Sequence, residues 1–88
     1  MKAVIIYKTG NDVTMDRIME FYPRHALLVD SFAKDKKVIG IGAFTDVSGS
    51  MGIFRDKECA EEFVRQDPFV LEGIVNEVTI KEWNDALL

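Results

Sequence analysis

The chain has 88 residues, enough for one domain, and 48% of them are hydrophobic, enough for a real core. Lys and Arg number 11 against 15 Asp and Glu, a formal charge of −4, which argues against a nucleic-acid partner because phosphate binding rests on clustered cations. A domain this small buries only a modest share of its surface, so a partner chain would help it.

Ala3-Val4-Ile5-Ile6-Tyr7 is β-branched and apolar on both faces, and it predicts a buried first strand closed by the turn residues Thr9-Gly10-Asn11-Asp12. Met15 to Phe21 is weakly helical before Pro23 intervenes. Proline suits a helix's first turn and not its interior, so the main first helix is placed from Pro23 to about Lys34, with His25 in its first turn. Lys34-Asp35-Lys36-Lys37 is the densest basic run, is interrupted by an acid, and reads as a solvated turn. Val38 to Phe44 predicts the second strand, on which Gly40 and Gly42 remove side chains from one face. Thr45 to Ser50 reads as a plain β-turn: small and polar, but without a P-loop lysine or a helix to open. Met51 to Arg55 follows as the third strand. Asp56 is placed to cap a helix from Lys57 to about Gln66. Asp67 precedes Pro68, which ends that helix and lets Asp67 cap a short turn, Phe69 to Glu72, closed by Gly73. Ile74 to Trp83 is the last strand, and Asn84 to Leu88 reads as a loose tail.

Cys59 is the only cysteine, so no internal disulfide and no cysteine-based metal site is expected, and the thiol reads as buried or half-buried. The N-terminus carries no signal-peptide pattern, and no apolar run approaches the roughly 18 residues of a membrane helix. The expectation is a reduced, cytoplasmic protein with no membrane partner.

The element order is β-α-β-β-α-β, the ferredoxin-like arrangement: an antiparallel four-stranded sheet with two main helices on one face, in a single domain over residues 1–88. The other face of such a sheet should be polar if it meets water, yet strands one and two are apolar on both faces. The simplest cover is the same face of a second copy, which predicts a homodimer. On strand four, Val78 and Ile80 face one way and Glu77, Thr79 and Lys81 the other, which would give the shared interior the partly polar lining of a pocket.

Two titratable residues lie on apolar stripes. His25, Leu28, Val29 and Phe32 follow one helix face, and Ala60, Phe63, Val64 and Asp67 follow another. An inward polar group is costly without a partner, so His25 and Asp67 are expected to share a pocket. In a first turn the helix dipole would disfavour imidazolium and leave a neutral ring able to accept a proton. A carboxylate on the other ring nitrogen would set the tautomer and stabilise the cation formed by transfer. Each residue also has a plainer role: His25 as a helix-start residue bonded to backbone, Asp67 as a cap ahead of Pro68. A metal site is not expected, because one histidine and scattered carboxylates lack ligand spacing.

Pro23-Arg24-His25, Gly42 seventeen residues after the histidine, Asp67-Pro68-Phe69-Val70-x-x-Gly73 and the strand Val78-Thr79-Ile80-Lys81 together resemble the YciI-like family over nearly the whole chain. The resemblance implies a ferredoxin-like dimeric α+β barrel and a His–Asp pair in the active site, mapping to His25 and Asp67. Similar barrels include muconolactone isomerases, dehydrochlorinase-like enzymes and cofactor-free monooxygenases. Ala43 stands where a proline commonly follows the glycine, and the loop between strands two and three is short, which changes the pocket rim. Two functions are carried forward. One is a cofactor-independent isomerase or lyase acting on a small organic molecule, with His25 as base, Asp67 as its orienter, and Gly42 and Phe69 shaping the substrate pocket. The other is a non-catalytic module that binds a small ligand or a protein through the same barrel; an open cavity beside the pair favours the enzyme, a filled one the module.

Overall fold

The computed structural model describes all 88 residues, in the order β1 (Lys2–Thr9), α1 (Met15–Lys34), β2 (Val38–Ala43), β3 (Gly49–Phe54), α2 (Lys57–Gln66), α3 (Pro68–Leu71) and β4 (Val75–Trp83). The four strands form one sheet in the order β2-β3-β1-β4, with every neighbouring pair antiparallel. Each β-α-β unit is therefore split by a strand of the other, which is the ferredoxin-like fold.

Alternation along the strands decides what meets the helices. Ala3, Ile5 and Tyr7 of β1 are buried beneath them, and their cross-strand partners Phe54, Gly52 and Ser50 share that side. Phe54, Phe63 of α2 and Phe32 of α1 form the centre of the core, with ring centroids 5.1–6.4 Å apart. Burying each such ring contributes roughly 1.5–3 kcal/mol. Gly49 sits where β3 crosses β1 so closely that a Cβ would lie 1.9 Å from the Tyr7 carbonyl oxygen. No other residue fits there without moving a strand.

The second face of β1 is not buried within the chain: Ile6 is 40% exposed, and Val4 is half-buried. Met51 and Ile53 of β3 lie beside them on the same open face.

The first helix differs from the sequence expectation. It is one continuous helix that starts eight positions before Pro23, with Thr14 Oγ1 accepting the Arg17 backbone N–H at its N-cap. Pro23 lies inside it on the solvent side. The proline lacks the N–H that the Met19 carbonyl would accept, and both residues are exposed. Phe21 and Phe32, one on each side of Pro23, are both buried, so packing of the whole helix outweighs the local cost. The tail also differs: Lys2 Nζ binds Asp85 at 3.2 Å and the Leu88 carbonyl, which ties residues after β4 back to β1. Asp56 caps α2 as its position predicts, its side chain accepting Cys59 N–H at 2.8 Å. The β2–β3 connection is a turn in which Val47 N–H donates to the Phe44 carbonyl, with β3 beginning at Gly49 rather than Met51.

Candidate active site

The site is organised around one carboxylate. Pro68 bars Asp67 from helical geometry, and its backbone is extended at φ −69°, ψ 118°. The chain therefore breaks between α2 and α3, and the side chain turns inward to cap α3, Oδ1 accepting the Phe69 N–H at 3.0 Å. Asp67 is 0% exposed and is the one fully buried charged residue. Burial of a carboxylate demands donors, and two more elements supply them. Tyr7 of β1 donates its hydroxyl to Oδ2 at 2.8 Å. His25 of α1 places Nδ1 2.8 Å from Oδ1. No buried side-chain polar atom lacks a partner.

This arrangement assigns the imidazole tautomer. A carboxylate oxygen only accepts, so Nδ1 carries the proton and Nε2 of a neutral ring carries the lone pair. Nε2 makes no hydrogen bond within the chain. The Phe69 ring stacks on the imidazole at 4.2 Å with an interplanar angle of 11°, and Phe63 meets it edge-on at 6.1 Å. The ring is thus gripped on a face, an edge and one nitrogen. Burial, then the neighbouring Asp67 charge and the hydrogen bond to it, push the Tyr7 phenol far above its ordinary range, so it stays protonated and remains a donor.

His25 opens onto a cavity of about 410 Å³ between α1 and the β2–β3 edge. Tyr22, Val29 and Asp30 of α1, Ile41 and Ala43 of β2, Ser50 of β3 and Phe69 are among its walls, and Gly42 borders it with backbone alone. The cavity lies on the helix side of the sheet, within one chain. The reason is alternation: Ile41 and Ala43 pair with Gly52 and Ser50 on the helix side, while Gly42 pairs with Met51 on the other. A Cβ on Gly42 would meet nothing within 4 Å.

His25 lies near the middle of α1 rather than in a first turn, because the helix begins at Met15. The helix-dipole argument for a neutral ring lapses there, since the effect fades within the end turns. Asp67 is what acts on the ring. Sequence reasoning missed Tyr7 as the second partner of Asp67. Its signal was available: Tyr7 alternates with Ala3 and Ile5 on the buried face, and a buried hydroxyl needs an acceptor. The free thiol of Cys59 is buried, and burial pushes it up, away from the thiolate form. No group of three or more His, Cys, Asp or Glu is placed to hold a metal ion. No helix is long and apolar enough to cross a membrane.

A family model described as a YCII-related domain matches residues 1–84. The chain belongs to that family. No curated protein matches it. Among solved structures, it is similar to 5-chloro-2-hydroxyhydroquinone dehydrochlorinase (TftG) from Burkholderia phenoliruptrix AC1100, solved in complex with 2,5-dihydroxybenzoquinone. The TM-score is 0.80 at 20% identity, covering 98% of this chain and 96% of that one. It is also similar to a conserved protein from Methanosarcina mazei Go1, with TM-score 0.58, 16% identity and coverage of 92% and 89%. A third similar structure is a hypothetical protein of Arabidopsis thaliana, with TM-score 0.54, 19% identity and coverage of 99% and 88%. At these identities the likeness establishes the ferredoxin-like fold shared by all three.

Proposed function

We propose that this protein is a small cofactor-independent enzyme that moves a proton on a small organic molecule, an isomerase or lyase of the dehydrochlorinase kind. The observation that carries this reading is the His25–Asp67 hydrogen bond beside an open cavity, with Nε2 left free. His25 Nε2 takes the proton from an acidic C–H or O–H of the substrate. The electron pair left behind forms an enolate or phenolate. In a lyase an enolate expels a leaving group such as chloride from the adjacent carbon, which departs with the bond pair, and the imidazolium gives its proton to water; a phenolate is first protonated by His25 at the chlorine-bearing ring carbon, and that now tetrahedral carbon loses chloride with the bond pair as a second hydroxyl gives up its proton, which leaves a quinone. In an isomerase His25 returns the proton at another carbon. Asp67 keeps Nδ1–H in place and stabilises the imidazolium between the two transfers. Tyr7 and the Phe69 N–H hold Asp67 in turn. Phe69 stacks on the base and also lines the cavity, so the wall next to His25 is aromatic, which suits a ring-bearing substrate, and the likeness to a dehydrochlorinase supports the same class. The cavity is open rather than filled by side chains, which favours an enzyme over a non-catalytic module.

A homodimer is part of the proposal. Val4, Ile6, Met51 and Ile53 make an apolar strip on the open sheet face. Gly40 and Gly42 extend that strip with bare backbone that leaves room for an approaching surface. Sedimentation at micromolar concentration is expected to give twice the 10.0 kDa chain mass, and a monomer would contradict the dimer. The catalytic proposal is tested by incubating the protein in D₂O with chlorinated hydroquinols, including 5-chloro-2-hydroxyhydroquinone, and with cyclic ketones. Chloride release or deuterium incorporation above buffer is expected for at least one compound; a panel that binds beside His25 and never reacts would contradict it.

A further inference from the structure

Adjoining the His25 cavity is a second hollow of about 270 Å³ that the proton-transfer chemistry does not use. Ile18, Tyr22, Ala43, Ser50 and Phe69 line both, so the two hollows lie side by side, with His25 on the first alone. The second is also walled by Met15, Met19, Val47, Ile74 and Val75. No charged side chain lines it. Met15 and Met19 are more than half exposed, Tyr22 is 51% exposed and Val47 is 71% exposed, a run of apolar surface that a lone chain in water would not favour. Methionine thioethers make walls that adapt to an occupant.

Val47 supplies an independent observation. Its φ is 59°, in the left-handed region that β-branched residues almost never enter. Glycine or asparagine would sit there more easily. The chain instead keeps an exposed isopropyl group at a strained position, on the lip of the groove. The turn joining β2 to β3, closed by the Val47 N–H on the Phe44 carbonyl, holds the backbone in this conformation and so sets the isopropyl group at the groove's edge.

Charge narrows the occupant further. Neither hollow is lined by Lys or Arg, and Asp30 lies on the wall beside His25. The two α1 arginines are engaged elsewhere: both guanidiniums lie 4.8 Å from the Phe21 ring, and Arg17 also donates to the Glu72 carbonyl. A carboxylate or phosphate would enter without a countercharge.

We propose that the two hollows join into one bent space that takes an uncharged amphiphile: a hydroxyl- or carbonyl-bearing ring beside His25 and an aliphatic arm in the Met15–Met19–Val47 groove. This rests on the reading of the His25 cavity as the reaction site. The ring is presented to Nε2, and the arm fixes its position along the bent space. Length of the arm, rather than polar contacts, sets affinity.

The test uses 4-alkylphenols from 4-methylphenol to 4-hexylphenol, with 4-hexylbenzoate as the charged control. Binding is followed by NMR through the His25 imidazole and the methionine methyls. Affinity is expected to rise about fourfold per added methylene, the worth of burying one such group. The His25, Met15 and Met19 signals should report one common Kd, and 4-hexylbenzoate should bind at least about tenfold more weakly. Val47→Gly is expected to raise Tm and still weaken 4-hexylphenol about tenfold while leaving 4-methylphenol unchanged. Met19→Ser, on the exposed side of α1, should act in the same direction on the long phenol. Phenols that shift His25 with no dependence on chain length would overturn the groove assignment and leave the proton-transfer reading intact. Phenols that shift the methionines alone would overturn the continuity of the two hollows. A series that shifts neither would overturn both this inference and the reading of the cavity beneath it.

Discussion

Tyr7→Phe isolates the contact that sequence reasoning missed. The substitution keeps the ring in the core and removes only the hydroxyl that donates to Asp67 Oδ2 at 2.8 Å. Asp67 is 0% exposed, and no other side chain or backbone N–H donates to Oδ2. The carboxylate oxygen is then left buried without a donor, at a cost of roughly 1–3 kcal/mol. In a domain of this size each kcal/mol lowers Tm by about 4–8 °C. The same hydroxyl gives the wild-type protein an alkaline limb. Burial and the adjacent Asp67 raise the folded-state pKa of Tyr7 far above the unfolded value of 10.0. Stability from this group is full below pH 10 and is lost as pH rises above it, because only the unfolded chain can release the proton. The slope approaches about 1.4 kcal/mol per pH unit above pH 10. Thermal and urea melts of both proteins from pH 7 to 11 separate the two effects. The variant should be less stable at pH 7 and should lose less stability between pH 10 and 11. Equal stability at pH 7 together with parallel alkaline limbs would refute the Tyr7–Asp67 contact.

Gly49→Ala places a methyl group 1.9 Å from the Tyr7 carbonyl oxygen, so urea melts should show a loss of more than about 3 kcal/mol or a failure to fold. Pro23→Ala restores an N–H to the interior of α1 at an exposed position and should raise stability by about 1–3 kcal/mol, read as a higher Tm; an unchanged Tm would mean that the proline is compensated locally. Asp67→Ala removes the acceptor shared by Tyr7, His25 and the Phe69 N–H, and should cost about 3–5 kcal/mol in chemical denaturation.

Much of the fold can be read from local chemistry. Two-residue alternation, turn residues and the Asp56 and Asp67 caps give the element order, and they place α2 at its observed Lys57–Gln66 bounds. Helical periodicity puts His25 and Asp67 on inward faces, and the structure brings them to 2.8 Å. What local chemistry does not carry is the outcome of competition. Pro23 signals a helix start by its own geometry, but burial of Phe21 and Phe32 on either side of it holds one helix through it. Tyr7 and Asp67 are 60 positions apart, and only the packing of β1 beneath the α2–α3 break joins them. The side of the sheet that holds the cavity depends on strand register, which a one-residue slip would reverse.

The central claim is that His25 is the base. The most direct measurement is turnover per folded molecule of His25→Ala, on a compound that the wild-type protein converts, with a melting curve on the same sample. Asp67 keeps the Tyr7 hydroxyl and the Phe69 N–H in this variant, so folding should be nearly intact. Turnover should fall by about 10²-fold or more, the usual worth of a positioned general base. A destabilised variant that keeps full turnover per folded molecule would contradict the account and return His25 to a packing role.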